Sequence, residues 1–152
     1  MKSSHFPDVN VWLALTHNQH VHHVAAAQWF DSAGDASFVF CRFTQLGLLR
    51  LLTNPKVMEE EIMTQRGAWA AYHRWFEDGR VAFLPEPASA DFEHVFHAAS
   101  LRERPAAKLW AGAYLAAFAR IAGLSLVTFE SKFPKAGRAR SGTAVWPRII
   151  FS

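Results

Sequence analysis

The stretch PDVNVWLAL (residues 7–15) sets one carboxylate, Asp8, at the hinge between a short apolar segment and a helix-like apolar run. In open α/β sheets, ligands and metals gather outside the carboxyl ends of the strands, where strands hand over to helices. Asp8 is therefore the first candidate metal ligand, and the question for the rest of the chain is which acids join it. An Asp just before a helix also has a purely structural use, because its carboxylate accepts hydrogen bonds from the first free amides as an N-cap.

Outward from that hinge, helix-like and strand-like runs alternate, which points to an α/β fold. A strand through His5 to Asp8 leads into a helix from Asn10 to Thr16. A second helix follows His20, with Val24, Ala27, Trp29 and Phe30 at helical spacing. SFVFC (residues 37–41) is short, apolar and bounded by turn residues, so it reads as a buried strand, with a helix from Thr44 to Leu52 after it. Asn54-Pro55 closes that helix. The pattern then predicts a long amphipathic helix from Glu59 to Phe76, a strand from Val81 to Leu84 and a helix from Ser89 or Asp91 to Leu101. A helix from Pro105 to Ala122, a strand from Leu124 to Phe129 and a last strand from Ala144 to Phe151 complete it. The sum is a mostly parallel five-strand sheet flanked by helices.

A chain of 152 residues with an apolar fraction of 51% suits one core and one domain, residues 1–152. MKSSHF at the start lacks the apolar run of a signal peptide and no segment approaches a membrane span, so a cytoplasmic protein is the expectation. Cys41 is the lone cysteine and sits in an apolar run, which predicts a buried, inert thiol. The net charge of +3 is mild but unevenly placed. After Glu130 there is no acid, while Lys132, Lys135, Arg138, Arg140 and Arg148 follow. That tail suits phosphates or an acidic partner, and equally a solvated basic loop. No Gly-rich phosphate loop such as GxGxxG follows the first strand, which disfavours a small-molecule-binding doubly wound domain.

Five segments, PDVNVWLAL (7–15), HVHHVAAAQWF (20–30), FCRFTQLGLLRLLTNP (40–55), LWAGAYLAAFA (109–119) and LVTFESKF (126–133), together resemble the PIN-domain ribonucleases. Within that family they resemble the toxins of VapB-VapC toxin-antitoxin modules. The resemblance implies a PIN-like three-layer α/β/α sandwich and an acidic pocket at the carboxyl end of the sheet. It further implies Mg²⁺ or Mn²⁺ as cofactor, an RNA substrate, a VapB-type antitoxin and a homodimer. Such hard cations prefer carboxylate and water oxygens, and an RNA phosphate completes the shell. The implied reaction is in-line cleavage of a phosphodiester bond. The alternative within the same family is a catalytically inactive PIN domain that binds an antitoxin or RNA.

Carrying the family's acids over, Asp8 matches the first. The second corresponds to Gln45, whose amide brings no charge. The third falls in a run resembling DAYLAA, where this chain reads Gly112-Ala113-Tyr114-Leu115-Ala116-Ala117, so Gly112 has no side chain to offer. The fourth, usually Asp, is Glu130, which keeps the charge with one more methylene and equally suits a solvated loop after a strand. Glycine inside a helix costs about 1 kcal/mol relative to alanine. Gly112 therefore wants a reason: close backbone packing, natural decay of a nuclease into a binding protein, or an inactivating change selected during cloning. Asn10, Thr44 and Thr128 are short polar residues near the strand ends, suited to orienting a carboxylate or a water, and equally to capping backbone. Arg42 and Arg50 suit RNA phosphates, an acidic antitoxin segment or a solvated surface.

The histidines at 17, 20, 22 and 23 have no Cys or acid nearby to complete a zinc set, and read as capping, packing or partner contacts. Six tryptophans, at 12, 29, 69, 75, 110 and 146, should mostly fill the core. Those on the helices around 12–30 and 57–76 are placed to line a groove where, in the resembling toxins, an antitoxin segment docks.

Overall fold

The computed structural model describes residues 2–130 and the short strand 148–149. Its strands are β1 (Ser4–Pro7), β2 (Ser37–Phe40), β3 (Val81–Phe83), β4 (Ser125–Thr128) and β5 (Arg148–Ile149). They lie in the order β3-β2-β1-β4-β5. The first four are parallel and form the body of the sheet. The two-residue β5 runs antiparallel along β4. It falls within the strand expected from Ala144 to Phe151, whose remaining residues lie outside those described, as do Lys132, Lys135, Arg138 and Arg140 of the basic tail.

Side chains alternate across a strand, and here they divide between two apolar layers. Phe38 and Phe40 of β2 and Val127 of β4 face a core shared with α1 (Val9–Thr16), α2 (His23–Ser32), α3 (Arg42–Leu52) and α5 (Gln65–Trp75). Phe6 of β1, Val39 of β2 and Leu126 of β4 face the opposite core under α6 (Ala90–Ser100) and α7 (Leu109–Ala122), with the free thiol of Cys41 buried there. The expected three-layer α/β/α sandwich is thus present. Trp12 and Phe40 stack with ring centroids 3.8 Å apart, and Trp75 meets Trp12 edge-on. Trp29 is buried as well, whereas Trp69 and Trp110 are exposed.

Two helices depart from the expected boundaries. In place of one helix from Glu59 to Phe76, a four-residue α4 (Pro55–Met58) is capped by Asn54 and ends at Glu59. Glu59 has φ +51° and ψ −120°, a positive-φ conformation outside the right-handed helical region that stops the α-helix. The three like-charged residues Glu59–Glu61 form a single 3₁₀ turn. The helix restarts only where Thr64 caps Gly67 N–H at 3.0 Å. The last long helix begins at Leu109 rather than Pro105, because residues 101–108 are exposed and bury nothing that would repay helix formation.

The interface of α1 with α3 contains a close approach at Gly47. A Cβ at this position would lie 2.5 Å from Cγ2 and 2.9 Å from Cγ1 of Val9, a β-branched side chain with little rotamer freedom. Gly47→Ala gains up to about 1 kcal/mol of helix propensity but suffers overpacking of about 1–3 kcal/mol. In the Val9 background it should lower the thermal midpoint. In a Val9→Ala background the same substitution should raise it, and a double-mutant cycle by thermal denaturation reads that reversal.

Candidate active site

The strand order places a topological switch between β1 and β4. The chain proceeds from β1 outward to β2 and β3, then returns to the other side of β1 for β4. The crevice outside the carboxyl ends of two such strands is where an open α/β sheet receives ligands. Asp8 follows β1 directly and Glu130 follows β4 by two residues, so both acids come to this crevice.

Asp8 is buried and held on every side. Its own N–H donates to the Val127 carbonyl at 2.9 Å, continuing the β1–β4 ladder. Its Oδ1 accepts the N–H of Val11 at 3.0 Å, the N-cap of α1. Its Oδ2 accepts the hydroxyl of fully buried Thr128. That hydroxyl oxygen in turn accepts the N–H of Glu130 at 3.1 Å. The capping use and the site-facing use of Asp8 are compatible, because each carboxylate oxygen accepts one protein hydrogen bond and keeps a second lone pair. Removal from water pushes the Asp8 pKa up to about 6; the Thr128 and Val11 hydrogen bonds pull the other way, and the nearby Glu130 charge adds to the rise.

Asp8 and Glu130 line a cavity of about 450 Å³. Asn10 and Gly112 line it too, as do two cationic residues, Arg50 of α3 and Lys108 just before α7. Phe43, Leu46 and Leu115 supply apolar wall. Lys108 went unrecognised in the sequence, although it stands four residues before Gly112, the spacing that puts two residues on one helix face.

Gln45 is placed elsewhere. It is buried and accepts a hydrogen bond from Arg42 Nη1 at 2.6 Å, lining a separate groove with Tyr72 and Phe83. The reason is angular: on α3, Gln45 and Gly47 are about 200° apart around the axis, and Gly47 is the residue that faces the cavity. Arg42 follows Gln45, its guanidinium lying 5.0 Å from the Phe83 ring centroid. Thr44 is fully buried and caps α3, accepting the Cys41 N–H at 3.0 Å and donating to the Cys41 carbonyl at 3.1 Å, so it satisfies backbone away from the acids. Of the expected positions, Asp8, Asn10, Arg50, Gly112, Thr128 and Glu130 converge, and Arg42, Thr44 and Gln45 do not.

The histidines serve local structure. His23 Nδ1 donates to the Ala14 carbonyl at 2.7 Å, and His20 Nδ1 accepts the His22 N–H at 3.0 Å. Among the described residues no three His, Cys, Asp or Glu side chains gather closely enough to hold a metal by themselves. No described helix is long and apolar enough to cross a membrane.

The sequence profile of the PIN domain matches residues 6–139. Over 135 residues the chain is 42% identical to Ribonuclease VapC41 of Mycobacterium tuberculosis, a match spanning 86% of this chain and 91% of that protein. Ribonuclease VapC38 of the same organism is 36% identical over 55 residues, 36% of this chain and 39% of that protein. The crystal structure of M. tuberculosis VapC20, a Sarcin-Ricin loop cleaving toxin, superposes with a TM-score of 0.65 at 20% identity. That superposition covers 89% of this chain and 96% of the other and shows the same fold. The chain belongs to the PIN-domain family. Within the family it stands with the VapC ribonucleases.

The raised pKa of Asp8 has a signed consequence for stability. Between the ordinary carboxylate value of 3.8 and about 6, the folded metal-free protein holds a proton at Asp8 that the unfolded chain has released. This contribution is complete below pH 4 and is lost as pH rises through 6, a change on the order of 2–3 kcal/mol. The difference in unfolding free energy between wild type and Asp8→Asn, measured by urea denaturation in EDTA, should move by that amount across the window. A difference that does not vary with pH would contradict the assignment.

Proposed function

We propose that this chain is a divalent-metal-dependent endoribonuclease toxin of a type II toxin-antitoxin system. The carrying observation is the pair of carboxylates, Asp8 and Glu130, delivered by the adjacent parallel strands β1 and β4 into one cavity that also holds Arg50 and Lys108. The ribonuclease names of the relatives support the same reading.

The donor set suits Mg²⁺ or Mn²⁺ of a sparse kind. Magnesium is commonly held by one or two carboxylates, with waters and substrate phosphate oxygens supplying the rest. Asp8 and Glu130 would hold it here. A bound ion of this type supplies an activated water and charge stabilisation at the phosphorus during in-line displacement. The chain's own residues do the remaining work. Thr128 and the Val11 N–H fix both oxygens of Asp8, so its carboxylate meets the substrate without reorganising. Arg50 and Lys108 give the RNA backbone a cationic wall facing the acids, holding phosphate while the carboxylates keep their separation. Asn10, exposed at the rim, offers an amide to a water or a phosphate oxygen.

Gly112 opens onto the cavity; the resemblance implies a third acid at this position, whose lack would weaken charge neutralisation of the metal. With two acids lining it among the described residues, the second reading, a PIN module that binds an antitoxin or RNA without cutting, draws on the same cavity. A groove lined by Leu46, Leu49 and Trp69 adjoins the cavity and shares Leu46 and Arg50 with it. Trp69 and Leu46 are exposed there, and an amphipathic antitoxin segment is the occupant that the family relationship favours. A homodimer working in the cytoplasm completes the proposal.

RNA cleavage with Mg²⁺ or Mn²⁺ tests it directly. Cleavage should disappear with EDTA and in Asp8→Ala, and Gly112→Asp should raise the rate at least tenfold. Cleavage that survives both EDTA and Asp8→Ala would refute the metal-dependent mechanism. Silence from folded wild type and Gly112→Asp alike, across several RNAs, would establish the binding module instead.

A further inference from the structure

A second pocket, of about 520 Å³, lies between the β3–α6 connection and α7, and the reading above leaves it unused. Its walls include Phe92 and Phe96 of α6 and Tyr114 of α7, whose rings meet edge to face with centroids 5.6 and 5.7 Å from Tyr114. Two carboxylates, Glu86 and Glu93, and the hydroxyl of Ser89 border it. Tyr114 donates its hydroxyl hydrogen to Glu86 Oε1 at 2.8 Å. The ring of Phe43, a wall of the catalytic cavity, lies 5.6 Å from that of Tyr114, so a single pair of aromatic rings separates the two pockets.

We propose that this pocket is a nucleobase subsite selective for guanine, taking a base next to the phosphate held in the catalytic cavity. The proposal rests on the endoribonuclease reading and adds a substrate preference to it.

Aromatic walls beside a phosphate-binding site accept bases of any sequence, since every base has a π face. The acids add direction. A carboxylate repels phosphate, so Glu86 and Glu93 turn the polyanionic backbone away and leave the base as the part of a nucleotide that gains by entering. An ionised carboxylate only accepts hydrogen bonds. Among the four RNA bases, guanine alone carries two adjacent N–H donors, N1–H and the N2 amino group, along one edge. A carboxylate receives such a pair with two parallel bonds, the geometry that makes planar bidentate recognition strong. Tyr114 restrains the Glu86 carboxylate before any ligand arrives, which reduces the entropy lost on binding. Ser89 accepts the Asp91 N–H at 3.1 Å, and its own hydroxyl hydrogen has no acceptor among the described residues, so a donor remains for guanine O6. The acceptor at Glu86 and the donor at Ser89 together complement guanine and oppose adenine, which presents an amino donor and an acceptor ring nitrogen on that edge.

Binding is measured with GMP, IMP, AMP and CMP by NMR on the full chain in EDTA, so that the result stands apart from catalysis. GMP should shift resonances of Phe92, Phe96 and Tyr114 and bind at least tenfold tighter than AMP. IMP, lacking the N2 amino group, should fall between them. Glu86→Gln, an isosteric change at an exposed position, should abolish the preference for GMP over AMP, and Phe96→Ala should weaken all four nucleotides together. In a Gly112→Asp background, the ratio of cleavage at guanine-adjacent over adenine-adjacent sites should drop by a similar factor in Glu86→Gln. Equal binding of all four nucleotides, or none at this pocket, overturns the proposal. Preferential binding of methylguanidinium over GMP also overturns it, assigning the pocket to a basic protein side chain. GMP selectivity without RNA cleavage by any variant would sustain the subsite while removing the nuclease reading.

Discussion

The hydroxyl of Thr128 joins the sheet to the site. It donates to Asp8 Oδ2 and accepts from the Glu130 N–H, so one buried group ties together residues 120 positions apart in sequence. The other Asp8 oxygen is tied to α1 through Val11, and its backbone N–H to the Val127 carbonyl of β4. A buried carboxylate is costly unless its hydrogen bonds are made. Here they are made by the pieces whose mutual position defines the fold: the end of β1, the start of α1 and the end of β4. The acid pair is thus a consequence of strand order. Had β4 joined the sheet at its other edge, beside β3, Glu130 would have stood three strands away from Asp8.

The electrostatic character of the cavity follows from what the glycines leave out. Gly47 and Gly112 face it from α3 and α7, removing side chains from two walls. Gly47 has a packing reason in Val9, which crowds the space a Cβ would take. Gly112 is half-buried at the cavity wall. With two acids and two cations lining the same space, the cavity has a negative pole at the strand ends and a positive one supplied by the helices.

Much of this was legible in the chain itself. Asp8 stood out because an acid between an apolar strand and an apolar helix has few places to be, and the alternation of runs placed each of the four parallel strands. Glu130 was implied by the family resemblance, and Thr128 by its place as a short polar residue near a strand end. Gln45 lies apart from the acids because linear proximity says nothing about helical phase, and on α3 a step of two residues turns a side chain to the opposite face. Lys108 escaped because exposed residues preceding a helix carry no periodic signal. The break at Glu59 escaped because a positive φ at a non-glycine residue leaves no mark in the sequence. The pairing of Tyr114 with Glu86 is likewise a product of tertiary packing, across 28 residues.

The continuity between the Asp8 ligation and the β1–β4 ladder sets how the site is able to be silenced. A loop-borne site loses its shape by local fraying while the rest of the protein stays folded. Here the Asp8 backbone is part of the β1–β4 ladder, and its carboxylate is held by Val11 at the start of α1 and Thr128 at the end of β4, so its release requires opening where these elements meet. The geometry persists for as long as the domain does. Control of such a centre falls to occupancy: something must sit in the cavity or across its mouth, and its departure restores a site that never came apart.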